Sequence, residues 1–344
     1  MAPKVRASMG TLGVLGLELV SMDTPPTTAY LQIYTEKRCA ANCLFCAQAK
    51  GSSAELTHIA RGMYVPVDLE KVVSRLKMAY DRGYLARACI QTALYGSWWE
   101  DTVYLIKRIR EESEIPISLS VFPLRDELYR ELKSLGVNEL VIPLDACTPG
   151  LFDKIKGKGA GGPYSWEKHM DGLKRGAQVF GKVGTHLILG LGETDEGAVR
   201  IIDELHGMGI DAALFSYTYV PGAQLSLEQD KEDSIRHYRA VQVARYLITE
   251  GKATCQDMSF SDGRLSDFGV GRDVLLKIIE DGKAFQTSGC PDCNRPMANE
   301  TFSAMYNFPR RPDEMEKEEI KRELVEKSTT SEWNSGASCG CSWI

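Results

Sequence analysis

Between residues 29 and 220 the sequence alternates short β-branched or aromatic runs with amphipathic stretches, and this alternation limits the fold more than any other feature. The runs are AYLQIYT (29–35), ARACIQT (86–92), PISLSVF (116–122), NELVIPL (138–144), GTHLILG (184–190) and AALFSYTYV (212–220). DLEKVVSRLKMAYDRG, DTVYLIKRIREES, RDELYRELKSLG, SWEKHMDGLKRGAQVFG and TDEGAVRIIDELHGMG lie between them, with apolar residues at helical spacing. A strand–helix–strand step closes with a right-handed crossover, so the strands are expected to be parallel. The succession predicts an α/β fold, a (β/α)8 TIM-type barrel that is complete or nearly so. HYRAVQVARYLITEG before KATCQDMSF (252–260), and VLLKIIEDG before KAFQTSG (283–289), are expected to supply the last two units. An open doubly wound sheet is the alternative, although no glycine-rich phosphate turn follows the first strand. The expected division is an N-terminal extension (1–28), the barrel (29–290) and a C-terminal extension (291–344).

A chain of 344 residues can bury a core of that size. No apolar run reaches the roughly 18 residues of a membrane span, and the first residues lack a signal-peptide pattern, so a cytoplasmic protein with no membrane partner is expected. The net charge of -6 speaks against a general nucleic-acid binder. The 10 cysteines are too sparse for a disulfide scaffold, and they cluster at 39, 43 and 46, at 290 and 293, and at 339 and 341. Reduced, metal-binding thiols fit that pattern better.

Such barrels carry their chemistry at the C-terminal ends of the strands. RCAANCLFCAQ (38–48) follows the first strand, Gly190-Leu191-Gly192-Glu193 follows the fifth, Cys255 ends or adjoins the expected seventh, and Cys290 and Cys293 follow the expected eighth. Thiolates are the usual ligands of iron–sulfur clusters, and three of them on a cubic four-iron cluster leave one iron open. An open metal position marks a catalytic site. The alternatives for Cys39, Cys43 and Cys46 are surface thiols, or a zinc site that borrows His58.

The C-x3-C-x2-C spacing, with Phe45 before the last cysteine, resembles the radical S-adenosylmethionine (SAM) superfamily. The resemblance implies that Cys39, Cys43 and Cys46 hold a 4Fe-4S cluster whose free iron is chelated by SAM, and that reductive cleavage of SAM gives a 5'-deoxyadenosyl radical. It implies that Phe45 packs near the adenine. Gln91 and Thr92 stand where the family often holds the SAM amino group, and Ser118 and Ser120 where it reaches the ribose or carboxylate. HLILGLGET, with Gly190, Gly192 and Glu193, resembles the strand-five signature whose backbone supports the adenine.

Within the superfamily, ACIQTALYG, VIPLDACTPGLFDKI, GGPYSWEKH and GTHLILGLGET resemble the biotin synthase and lipoyl synthase group, which inserts sulfur at unactivated carbons. Biotin synthase holds a two-iron cluster through cysteines on strands two, three and five and an arginine on a late strand. Cys89 matches the first cysteine, but Ile117 or Ser118 and Gly184 occupy the others, so that cluster cannot form as it does there. GCPDCNRP with the following YNFPRRP resembles instead the two-protein archaeal-type lipoyl synthases. This implies a second, auxiliary 4Fe-4S cluster that draws on Cys255, Cys290, Cys293, Cys339 and Cys341. It also implies an octanoyl-lysine substrate on a lipoyl carrier protein or peptide, a paralogous radical SAM partner, and an electron donor such as ferredoxin or flavodoxin. The alternatives are that the auxiliary site is a zinc ribbon or a CxxC redox pair, and that the chain is another radical SAM enzyme (a mutase, methylase or ring-forming enzyme) or a nonenzymatic assembly factor.

The remaining features read as structure. Cys89 and Cys147 are expected as buried small hydrophobes, His186 as a satisfied core histidine, and RRPDEMEKEEIKRELVEK (310–327) as a solvated helix. GKGAGGPYS (157–165) is a flexible loop facing the chemistry, Asp145 a weak candidate for contact with substrate or SAM, and Lys37 and Arg38 candidates for balancing cluster charge or binding the SAM carboxylate.

Overall fold

The computed structural model describes residues 3–59, 62–227, 231–295 and 305–326; Cys339 and Cys341 lie outside them. The elements run β1 (Lys4–Ser8), α1 (Met9–Val14), β2 (Thr28–Ile33), β3 (His58–Ile59), β4 (Gly62–Asp68), α2 (Leu69–Asp81), β5 (Arg87–Gln91), α3 (Trp98–Glu112), β6 (Ile117–Ser120), α4 (Asp126–Ser134), β7 (Val137–Val141), α5 (Pro149–Ile155), α6 (Trp166–Phe180), β8 (Val183–Leu189), α7 (Asp195–Gly207), β9 (Ile210–Ser216), α8 (Lys231–Thr249), β10 (Ser259–Ser261), β11 (Arg264–Asp267), α9 (Arg272–Asp281) and α10 (Glu314–Lys321).

The α/β barrel architecture is present. Strands β2, β5, β6, β7, β8 and β9 pair in parallel in that order. The outward residues Leu31, Ile90, Leu119, Leu140, Leu187 and Leu214 are each 2 % exposed or less, under a layer of helices. Burying each such side chain contributes about 1.5–3 kcal/mol. The segment expected as an N-terminal extension also enters the sheet, because β1 pairs antiparallel with both β2 and β4.

The parallel wall has six strands among the described residues, where eight were expected. Residues 252–260 begin instead with a 3-10 turn at Cys255–Asp257, which Thr254 and Asp257 cap reciprocally. Asp262 and Gly263 then both take positive φ, 49° and 77°, and fold β10 and β11 into a separate hairpin. An Asp-Gly pair is a strong hairpin signal, and the strand assignment passed over it. In 283–289, a 3-10 turn at Lys283–Phe285 leaves only Gln286 to bridge Phe308.

What closes the barrel is an irregular segment. Ser288 Oγ accepts the Leu214 N–H of β9 at 2.9 Å, while Asn294 Oδ1 accepts the Thr27 N–H beside β2 at 3.0 Å. The charged run after it is only partly solvated: Ile320, Leu324 and Val325 are buried, and Glu323 pairs with Arg239 at 3.2 Å. No helix of the described residues is long and apolar enough to cross a membrane.

Candidate active site

Successive residues of a strand face opposite sides, so the residues between the outward leucines face the barrel interior. Pairing sets them in rungs. Tyr30, Cys89, Ser118 and Glu139 share the lower one, and Gln32, Gln91, Ser120, Val141, Gly184 and Asp211 the upper. All of these except Ser118 line a cavity of about 330 Å³, the size of a small-ligand site.

The three-cysteine loop forms the mouth of this cavity. The Cys39 N–H donates to the Gln48 carbonyl at 2.9 Å, and Arg38 donates to the carbonyls of Ala47 (2.9 Å) and Ala54 (2.6 Å). Gln48 is locked to Gln32 of β2 by two amide hydrogen bonds of 2.8 Å each. Arg38 is therefore part of the loop's scaffold. The result is that Cys39, Cys43, Phe45 and Cys46 all line one cavity.

Burial raises the Cys43 thiol well above the ordinary cysteine range, opposed in part by the Lys156 ammonium. The Cys46 thiol is pushed up to about 11, again by burial, although hydrogen bonds from the backbone of Gln48 and Ala49 pull the other way. A metal bound to Cys43 and Cys46 would replace their protons, as metal ligation does. Cys39 Sγ accepts the Leu94 N–H at 3.2 Å, a bond of the kind that tunes iron–sulfur potentials. Among the described residues no group of three or more His, Cys, Asp or Glu is gathered around a single ion. His58 is not among the residues that line the cavity with these thiols, and three thiolates with one iron left open suit a cubic four-iron cluster. Such a cluster with SAM supplies a carbon-centred radical oxidant.

Of the other expected contacts, Gln91, Thr92 and Ser120 line the cavity. Gln91 Nε2 donates to the Tyr64 hydroxyl at 3.3 Å and Thr92 Oγ1 to the Ser120 carbonyl at 3.0 Å. Ser118 does not reach the mouth. It is fully buried on the lower rung, where its Oγ accepts from Arg87 at 3.1 Å. Gly190 and Gly192 take φ of 96° and 115°, which only glycine adopts freely. The turn they form directs Glu193 away from the cavity: its carboxylate accepts the N–H groups of Gly190 (2.5 Å) and Leu191 (3.0 Å).

His237 of α8, which the sequence reading did not single out, holds that turn. Its Nε2 meets Glu193 at 2.8 Å and its Nδ1 meets Asp195, whose other oxygen accepts the Leu265 N–H at 2.7 Å. Burial disfavours the imidazolium, but the two carboxylates outweigh it and raise the pKa to about 9. A raised histidine pKa stabilises the fold fully below about pH 6.5, and that stability is lost as pH rises through about 9. Wild-type protein is therefore expected to lose urea resistance between about pH 6.5 and pH 9. His237→Gln should be less stable by about 3 kcal/mol at neutral pH and lack that loss. An unchanged pH dependence in the variant would refute the assignment.

Asp145 and Lys156 sit beside Cys43. Asp145 lines the cavity with φ 67°, a left-handed conformation that is strained for a residue other than glycine, and its carboxylate accepts from Lys156 Nζ at 2.7 Å. His186 also faces the cavity instead of being satisfied in the core. Its ring packs on Phe215 with centroids 4.6 Å apart, and burial with the charges of Arg295 and Lys156 pushes its pKa down to about 3. It presents a neutral imidazole. Strand alternation (184, 186, 188 inward) was the signal that could have placed it.

Thiols also meet at the far end of the cavity, the floor, where Cys89 of β5 joins Cys290 and Cys293. Burial raises the Cys89 thiol first of all, and the nearby sulfurs of Cys290 and Cys293 raise it further. Cys89 is therefore no isolated hydrophobe. Cys255 is absent from the cavity: its N–H donates to Asp203 of α7 at 3.1 Å, on the outer side of the barrel. The strand expected to carry it inward is the capped turn described above. Cys147 is buried, 3 % exposed, in the core.

Residues 33–205 match the radical SAM superfamily profile. Lipoyl synthase of Buchnera aphidicola subsp. Schizaphis graminum is 25% identical over 177 residues, 50% of this chain and 51% of that protein. Biotin synthase of Citrifermentans bemidjiense is 24% identical over 212 residues (59% and 61%), and that of Clostridium perfringens 28% over 160 residues (46% and 46%). The chain thus spans about half the length of the curated relatives it matches. Among solved structures, methylornithine synthase (PylB) superposes with a TM-score of 0.51 at 15% identity, over 65% of this chain and 62% of that one, a likeness of fold alone. With its three mouth cysteines on one cavity and half its length matched, the chain belongs to the radical SAM superfamily, and its relatives there are of the biotin and lipoyl synthase-like group.

Proposed function

We propose that this radical SAM enzyme inserts sulfur into an aliphatic chain, as a lipoyl synthase does, with an octanoyl-lysine on a carrier protein or peptide as substrate. The observation that carries the reading is one largely apolar cavity with three thiols at each end. Leu94, whose N–H touches Cys39, lies five residues after Cys89, so the two sets stand within roughly 18 Å of each other. In this reading Cys39, Cys43 and Cys46 would hold the cluster that, with SAM, would supply a radical oxidant at the mouth, and Cys89, Cys290 and Cys293 would hold an auxiliary iron–sulfur cluster that would serve as the sulfur source at the floor. The protein holds the chain between them: Val121, Val141, Ile188 and Phe215 offer apolar walls that exclude water. Gln91 and the neutral His186 offer hydrogen bonds to an amide.

The test is anaerobic incubation with SAM, a strong reductant and an octanoylated lysyl peptide, followed by mass spectrometry. Addition of sulfur to the peptide, with loss of protein-bound sulfide, is the expected result. Deoxyadenosine without thiolated peptide would reject the substrate.

A further inference from the structure

We propose that Cys89, Cys290 and Cys293 together hold an iron–sulfur cluster at the floor of the barrel, and that Cys255 takes no part in it. Strand alternation turns Cys89 inward, two positions below Gln91 and opposite Ser118 of β6. The closing segment is pinned across the same floor. Arg87 Nε donates to the Pro291 carbonyl at 3.0 Å and Thr27 Oγ1 to that of Asp292 at 2.5 Å, so the thiols on either side of these residues enter the cavity that Cys89 faces.

The surroundings suit thiolates. The Tyr30 hydroxyl lies 3.5 Å from Cys293 Sγ and accepts the Arg295 N–H at 2.8 Å. The Arg295 guanidinium is 3.6 Å from the same sulfur and stacks on the Phe215 ring at 4.0 Å. Arg87, hydrogen-bonded to Ser118, brings a second fixed positive charge. Cationic side chains beside thiols favour the anionic forms that ligate metal. Cys89, Cys290 and Cys293 line one cavity, and three thiolates on a cubic four-iron cluster would leave one iron open.

The inference deepens the sulfur-insertion reading, but its test needs no substrate and stands or falls separately. In a full-length chain with Cys39, Cys43 and Cys46 all replaced by alanine, anaerobic reconstitution should leave about four irons and four sulfides, with an electron paramagnetic resonance signal on reduction. Adding Cys89→Ala should cut the iron at least fourfold and abolish the signal, whereas adding Cys255→Ala should change neither. Cys89→Ser, with its circular dichroism melt compared with the parent, separates a lost ligand from a lost fold. A folded Cys89→Ser or Cys89→Ala chain that keeps its iron and signal, a Cys255→Ala chain that loses them, or uptake of one zinc in place of iron would overturn the proposal.

Discussion

Cys43→Ala is expected to abolish reductive cleavage of SAM, and with it every later step. Burial raises the Cys43 thiol, which stands beside the Asp145–Lys156 ion pair at the cavity mouth, and replacing it removes one of the three sulfurs that would hold the cluster. Loss of a residue that merely orients a ligand costs about 10–100-fold. Loss of the ligand itself should exceed that, leaving deoxyadenosine formation below about 1% of wild type. The check is chromatographic measurement of deoxyadenosine after anaerobic incubation with SAM and reductant, with Cys255→Ala as a control that keeps wild-type rates. Deoxyadenosine above a tenth of the wild-type level would mean that Cys43 is not a ligand.

Cys293→Ala should divide the reaction in two. The mouth loop is held by its own bonds, Cys39 to Gln48 and Arg38 to Ala47 and Ala54, so SAM cleavage should persist within about threefold, while addition of sulfur to an octanoylated peptide should fall by more than about 100-fold. Folding is a fair concern, because Cys293 touches Tyr30 and Arg295. Arg295 also anchors to the carbonyls of Ser288 (2.7 Å) and Leu214 (3.2 Å), however, and these anchors remain in the variant. The cost of removing one thiol from this partly buried position should be on the order of 1 kcal/mol. Thiolation at the wild-type rate would end the case for a sulfur donor at the floor.

The two groups of cysteines were unequally legible. Cys39, Cys43 and Cys46 lie within one loop, and hydrogen bonds that span nine residues or fewer, such as Arg38 to Ala47 and Cys39 to Gln48, bring them to one cavity. The floor joins Cys89 to residues about 200 positions away. Reading Cys255 into it followed from counting a seventh strand, and that count failed on a local competitor: the Thr254–Asp257 cap and the Asp262-Gly263 turn satisfy the backbone without a place in the wall. Cys89 was discounted because a lone buried cysteine is usually packing, and only its company says otherwise. Glu193 was read with the strand-five turn as a cofactor contact, whereas its carboxylate is turned from the cavity to His237, which lies 44 positions on and carried no signal of its own.

Period and spacing, which are written in stretches of about ten residues, were enough to establish the β/α alternation, the parallel strands and the open three-cysteine loop. They work at that range because side-chain direction repeats every two residues in a strand and every 3.6 in a helix. Strand number, the closing segment and the membership of the floor site were decided by how the sheet curls and which distant segment fills the gap beside β9. That depends on packing summed over the whole chain, and no short window of residues contains it.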